Sequence, residues 1–276
     1  DFFRNSYDIR GLYAEKLLEF SNGTSLTGGL RRDNHSTYGN NTTYQVGISQ
    51  EITDQLVVKA NYATGFRAPS NYELLNASGS LKPETSNSYD IGFLGSLGNF
   101  KYGLRGYHNK ITDRIDYNYN TFKYQQIEGD TKVWGTEASL KVSLGTYSFS
   151  QTYNYAYGTE PVYASTPTRQ SIGNIPRHSG KTVATYKNGD LMMQMTGLFH
   201  VGTVQHVVTN WPNTEQRNLD DFLTVNLSGS YNITEHATIE ASVINLFDTE
   251  YATTIGDGFE YQQPGLSGNI GLRIKF

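Results

Sequence analysis

The sequence predicts an all-β fold, a transmembrane antiparallel β-barrel, and three observations carry that reading. The last ten residues, Ser267 to Phe276, alternate. Ile270, Leu272, Ile274 and Phe276 point one way and Asn269, Gly271, Arg273 and Lys275 the other, as strand side chains do when they change face at each residue. The same design recurs along the chain in segments of roughly ten residues, the pattern of strands that cross a membrane. Finally, 21 tyrosines, 13 phenylalanines and 28 glycines with only 37% hydrophobic residues favour strands and turns. No stretch approaches the roughly 18 apolar residues of a spanning helix.

The elements follow in order. A first strand begins near Tyr7, and Tyr44, Val46 and Ile48 then oppose Thr43, Gln45, Gly47 and Ser49. Ala138, Leu140, Val142 and Leu144 oppose Glu137, Ser139, Lys141 and Ser143. Three strands close the chain at Asp220 to Ile233, His236 to Phe247 and Leu266 to Phe276. In the first of these, Leu223, Val225, Leu227, Gly229, Tyr231 and Ile233 share one face, a regularity that a helical period cannot produce.

Tight turns at Ser21–Thr24, Thr53–Asp54, Gly98–Asn99, Gly145–Thr146, Asn188–Asp190 and Thr234–Glu235 alternate with long polar stretches near 33–42, 66–85, 113–131, 158–177, 203–218 and 249–265. Short turns belong on the periplasmic side of such barrels and long loops outside, so twelve connections join about thirteen strands. Thirteen is odd, and the first strand runs inward from the outside. Single-chain bacterial barrels have even strand numbers, so the expectation is a C-terminal portion of a larger barrel. Its first strand should pair with an upstream strand, because an open edge in lipid leaves backbone groups unsatisfied. Tyr153, Tyr155, Tyr157, Tyr62 and Phe66 fall toward the outer interface, where a girdle of aromatic rings is favoured. Lys59, Arg105, Glu137 and Lys141 fall on the inner face, which fits a wide lumen holding water or a polar plug.

Composition narrows function. A net charge of −4 without basic clusters gives no reason to expect nucleic acid. Zero cysteines exclude a disulfide scaffold or thiolate metal site. No Gly-x-Ser-x-Gly elbow, His-Glu-x-x-His helix or phosphate loop occurs, so neither an enzyme nor a cofactor or metal site is expected. Asp1-Phe2-Phe3-Arg4 is not the start of a signal peptide, and an exported precursor would begin upstream.

Six strings, taken in order, resemble the C-terminal barrel of TonB-dependent outer-membrane receptors. They are Gly29-Leu30-Arg31-Arg32-Asp33, Tyr62-Ala63-Thr64-Gly65-Phe66-Arg67-Ala68-Pro69-Ser70, Leu81-Lys82-Pro83-Glu84-Thr85-Ser86, Asn174-Ile175-Pro176-Arg177-His178, Asn245-Leu246-Phe247-Asp248-Thr249-Glu250-Tyr251 and Gly271-Leu272-Arg273-Ile274-Lys275-Phe276. The resemblance implies a 22-stranded barrel in the outer membrane of a Gram-negative bacterium, plugged by an N-terminal domain. It implies import of a scarce nutrient with energy passed through the TonB complex. This chain would supply about thirteen C-terminal strands, the plug and early strands being absent from it. The layout from Tyr107 to Gly129, which reads as a long hairpin whose strands continue above the membrane, looks most like cobalamin and catecholate-siderophore receptors. Haem receptors place a histidine between their Phe-Arg-Ala-Pro box and the next conserved segment; residues 70–80 contain none, which demotes haem and leaves His206 as a stray axial candidate. A passive pore or structural fragment is the alternative.

Candidate ligand-binding residues lie on four loops: Arg67, Tyr72 and Glu73; Tyr117, Tyr119, Tyr124 and Gln126; His206, Trp211 and Arg217; and Phe259, Tyr261 and Gln262. Rigid aromatic faces beside hydrogen-bonding tips suit a polar aromatic ligand such as a ferric siderophore or cobalamin. The plainer readings are cross-strand packing for the tyrosines, a solvated His206, and an Arg67 paired with nearby carboxylates or lipopolysaccharide. Leu272, Ile274 and Phe276 resemble the terminal signal read by the barrel-assembly machinery, although the same aromatic can simply anchor in outer-membrane lipid.

Overall fold

The computed structural model describes residues 7–118, 121–161, 169–210, 213–256 and 259–276. In chain order the elements are β1 (Ile9–Glu19), β2 (Thr24–His35), β3 (Gly39–Thr53), β4 (Leu56–Arg67), the short helix α1 (Asn71–Leu75), β5 (Glu84–Leu97) and β6 (Phe100–Thr112). They continue with β7 (Ile115–Asn118), β8 (Lys123–Gln126), β9 (Asp130–Leu144), β10 (Tyr147–Pro161), β11 (Arg169–Ser171), β12 (His178–Asn188) and β13 (Leu191–Val201). Last come β14 (Val204–Asn210), β15 (Asn213–Asn218), β16 (Phe222–Asn232), β17 (Ala237–Ile244), β18 (Ala252–Gly256), β19 (Phe259–Gln262) and β20 (Ser267–Ile274).

Thirteen of these form one antiparallel path, β1-β2-β3-β4-β5-β6-β9-β10-β12-β13-β16-β17-β20, with β11 added to β10. The remaining six make three separate hairpins, β7–β8, β14–β15 and β18–β19, each inserted in a connection on the same side of the sheet. The path does not close: β1 pairs with β2 and β20 with β17, and neither has a second partner among the described residues. The expected strand number and the open sheet both agree with the sequence.

Cross-strand partners share a face, so the register can be followed around the sheet. Leu26 lies opposite Leu18 and Ile48, Ile48 opposite Ala60, Ala60 opposite Ile91. Further on, Phe93 meets Leu104, Leu104 meets Ala138, and Phe149 lies between Val142 and Ala184. Met195 meets Ala184 and Leu227, Leu227 meets Val243, and Ile239 meets Leu272. Every one of the thirteen strands contributes to this apolar face, and it lies bare, with Leu12 80%, Ile270 75% and Leu272 60% exposed. So large a bare apolar surface is stable only against lipid. Lys16 interrupts it on β1.

A belt of rings runs along the outer end of this face. Tyr44, Tyr62 and Tyr89 follow one another at centroid distances of 5.7 and 4.7 Å, and Tyr89 is 6.3 Å from His108. His108 lies opposite Trp134, which is 5.5 Å from Tyr155, itself 5.2 Å from His178. Amphipathic rings at this level mark the water interface. The opposite face is polar. Arg105 bridges Asp90 at 3.4 Å and Glu137 at 3.2 Å, and Asn61 donates to Asp90 at 3.0 Å. Lys59 and Lys141 lie on that face through their partners Ser49 and Ser150.

Three boundaries differ from the sequence expectation. The long loop expected at 33–42 is a turn of Ser36 to Tyr38, because β2 and β3 stay paired as far as His35 and Gly39. Its polar residues are strand residues that rise beyond the apolar band, so polarity there marked height above the membrane and not a loop. The hairpin after β6 does not prolong β6 and β9. Asp113 turns the backbone left-handed at φ 58°, and β7–β8 stands as its own sheet. Finally, β17 stops at Ile244 and not at Phe247, since Asn245 takes φ 54°. Its buried amide binds Thr249 N at 3.0 Å and Thr249 O at 2.9 Å, which knots the turn that follows. At the other end of the sheet, Gly98 (φ 56°) and Gly145 (φ 60°) open two-residue turns at the position where a primed hairpin turn needs positive φ.

Candidate functional site

The five long connections, the short Ser36–Tyr38 turn and the strand ends beneath them form the candidate site, the mouth on the long-loop side. Its first part is tied by Arg67 at the end of β4. The guanidinium clasps Glu84 through two bonds of 2.6 and 2.8 Å and Glu73 through Nη1 at 3.0 Å, a fork geometry that carboxylates match well. Glu84 also accepts from Ile115 N at 2.7 Å. Thus one arginine joins β4, α1, β5 and β7. Ser70 caps α1 and Glu73 completes the capping box, accepting from Ser70 N at 2.6 Å. Burial opposes the charge on Glu73, but the bonds from Arg67 and Ser70 outweigh it and hold this carboxyl below the usual carboxylate range. Tyr38, at the tip between β2 and β3, faces the same group. Burial first, and then the Glu73 charge, pushes its phenol up.

The second part is the β7–β8 hairpin. Residues 76–78 run beside β8, with Tyr124 N bonded to Asn76 O at 2.8 Å and Ser78 N to Tyr124 O at 2.9 Å. Gln126 fastens the base: its side-chain oxygen accepts from Lys82 N at 2.7 Å and its amide nitrogen donates to Asp113 O. Leu81, Ile115 and Ile127 are buried beneath. On top, Tyr117 and Tyr124 meet at 5.1 Å, and Tyr72 meets Tyr124 edge-on at 5.8 Å. Cross-strand packing therefore accounts for Tyr117 and Tyr124, while Tyr72 keeps 62% of its surface open.

The third part is the loop after β10, which sequence reasoning did not select. Glu160 is buried on the inner face, where Arg114 Nη1 reaches it at 2.6 Å and Gln170 donates to it at 3.0 Å. Arg114 also binds Asp116 at 2.7 Å. His206 on β14 stands 4.0 Å from Glu160, with Nε2 2.7 Å from Ser171 O. It is packed between segments and is not the solvated loop histidine of the plain reading.

The fourth part joins β14–β15 to β18–β19. Gln205 bonds to both groups of the Ile255 backbone, accepting from N at 2.6 Å and donating to O at 3.0 Å, and it reaches Thr254 Oγ1 at 2.8 Å. Val207, Leu219, Ala252 and Ile255 bury a small core at that junction. Phe259, Tyr261 and Gln262 stand exposed on β19, Phe259 at 76%. Arg217 is exposed on β15, 3.8 Å from Glu215. Tyr119 and Trp211 lie outside the described residues. The loops that carry the described candidates are thus bonded to one another, yet Arg67, Glu73, Gln126 and His206 are engaged within these contacts. The open surface belongs to Tyr72, Phe259, Tyr261, Gln262 and Arg217. Arg114, Glu160 and Gln205 were missed because only their long-range partners give them meaning.

The profile of the family described as TonB dependent receptor-like, beta-barrel matches residues 1–246. This chain belongs to that family. The vitamin B12 transporter BtuB of Vibrio cholerae is 27% identical over 254 residues, which are 90% of this chain and 40% of that protein. Among solved structures, the ferripyoverdine receptor of Pseudomonas aeruginosa matches 98% of this chain with 39% of its own, at a TM-score of 0.82 and 19% identity. The siderophore receptor PirA of Acinetobacter baumannii matches 98% with 46% of its own, at a TM-score of 0.80 and 18% identity. These likenesses show that the sheet shares its fold with those receptors. The chain spans less than half the length of these relatives.

The clasp around Arg67 gives this receptor wall a pH signature. A carboxyl held low contributes stability fully above its unfolded value and loses it as pH falls through the folded one. The backbone around α1 should therefore stay protected from hydrogen exchange through the ordinary carboxylate range and open only below it. Glu73→Gln should expose the same amides at every pH; equal protection in both proteins would show that the ion pair does not hold the loop.

Proposed function

We propose that the chain is the C-terminal part of the wall of an outer-membrane receptor of a Gram-negative bacterium. The receptor imports a scarce nutrient, a ferric siderophore or cobalamin, and it acts by binding and passage without making bonds. Coupling runs through the TonB complex, reached by a plug and early strands encoded outside these residues. The observation that carries the reading is the interlocked mouth above a polar inner face. Five connections, from 68–83 to 245–266, are bonded to one another, which preorganises a binding surface in loops that stay free of the lipid-facing strands.

Between the two cargo classes, charge supports cobalamin. The connections at 66–85, 113–131, 158–177, 203–218 and 249–265 contain seven lysines and arginines against eleven carboxylates. The inward guanidinia of Arg67 and Arg114 are each held by two carboxylates. A strongly anionic ferric catecholate would meet a loop surface richer in carboxylates than in cations, with these two guanidinia already engaged, whereas a large, nearly neutral corrinoid needs aromatic faces and amides. The likeness to a vitamin B12 transporter supports the same choice. The test is titration of the purified full-length receptor with cobalamin, a ferric catecholate and haem. Cobalamin should bind tightest, and Tyr261→Ala should weaken it by about 1–3 kcal/mol while Val225→Leu, on the outer face, leaves it unchanged. Tight haem or catecholate binding without cobalamin binding would overturn the assignment, and binding of none of them would favour a passive pore.

The same proposal includes assembly. Leu272 and Ile274 sit on the apolar face opposite Ile239 and Ala237, and Phe276 stands clear beyond the end of β20, free to be read by the barrel-assembly machinery. Deleting Phe276 should lower the heat-modifiable, membrane-inserted fraction; unchanged insertion would leave it only an interfacial anchor.

A further inference from the structure

Above the aromatic belt, the outward face changes character at one place. Lys110 and Lys132 lie directly opposite each other on β6 and β9, two residues beyond the belt pair His108 and Trp134. Like charges so placed repel. The next outward position, Thr159 on β10, pairs with Lys132, and Arg169 of β11 reaches it. Arg169 spends its donors on neutral acceptors, Thr159 Oγ1 at 2.7 Å, Thr159 O at 2.9 Å and Asp130 O at 2.8 Å, so its charge is not cancelled there. Arg177 lies over the outward ring of Tyr157, 4.2 Å from its centroid. Against these four cations stand Asp130, which binds Lys110 at 3.0 Å and Thr112 at 2.8 Å, and the exposed Glu128.

We propose that this patch binds the phosphate groups of an anionic lipid of the outer leaflet. Its position fixes the class of ligand. The strands below it are apolar and face lipid, the belt marks the interface, and two residues of strand rise about 6.6 Å, which sets the ammonium groups at headgroup height. A molecule seated there must have its chains beside Trp134 and Leu104 and its anionic part beside Lys110 and Lys132. Lysine and arginine at a membrane surface attract such headgroups, and arginine bonds already committed to neutral oxygens leave the charge to act at short range. The patch faces away from the mouth, so it is separate from nutrient recognition and does not rest on the cargo assignment.

Native mass spectrometry of the full-length receptor tests this, with diphosphoryl lipid A, its fully dephosphorylated form and inorganic phosphate as probes. Wild type should retain diphosphoryl lipid A and neither of the others. Lys110→Gln with Lys132→Gln should lower its affinity about 10- to 30-fold, from about 1 kcal/mol for each surface cation. Replacing both by arginine should preserve it, as should Lys59→Gln on the inner face. Because loss of Lys110 also breaks its contact with Asp130, Lys132→Gln alone serves as a second variant, since Lys132 acts on Asp130 only through its charge at longer range; it should weaken binding about fivefold. Full retention by folded, heat-modifiable Lys132→Gln protein, equal binding of dephosphorylated lipid, or equal binding of free phosphate would each overturn the proposal.

Discussion

Backbone hydrogen bonding in a solvent that offers none is the constraint on which the rest of this structure depends. In lipid each peptide group must find a partner within the protein, and the thirteen-strand path does this by pairing every interior strand on both sides. Once the strands are paired, the two-residue period of side chains has no freedom left: one face must suit lipid and the other must suit the lumen. The register obeys this from Leu18 on β1 to Leu272 on β20. Among the described residues only β1 and β20, the two ends of the path, are paired on one side alone.

The loops live under a different rule. Above the belt, water can satisfy the backbone, so order there must come from side chains. It does: Gln126 and Gln205 act as surrogate backbone, each offering an amide to peptide groups of another segment. Arg67 and Arg114 then fasten segments by charge-assisted bonds to part-buried carboxylates. Two-carboxylate clasps of this kind stiffen a loop but use up the cation, which leaves recognition to aromatic faces and exposed amides.

What the sequence made legible follows the same division. Strand faces, tight turns and strand number were readable because alternation is local and its period is two. The turn at Ser36–Tyr38 was misread as a long loop because Asn40 to Thr43 are polar for a reason of height. Arg67 and Glu73 were recognised as neighbours, but the claim of Glu84 on the same guanidinium comes from the pairing of β4 with β5, and it changes an apparent ligand contact into a brace. Glu160 gave no local signal, since nothing beside it announces Arg114 forty-six positions earlier. His206 was found for its chemistry and turns out to be held by the Ser171 carbonyl.

The central claim is that one face of this sheet meets lipid and the other meets the lumen, residue by residue. Site-directed spin labelling of the full-length receptor in bilayers tests it most directly, with single cysteines introduced in turn from Leu223 to Tyr231 along β16. Collision with dissolved oxygen, which concentrates in lipid, should be high at 223, 225, 227, 229 and 231 and low at the positions between them, with the polar relaxation agent giving the opposite pattern. A flat profile, or one with a period near 3.6 residues, would contradict the account.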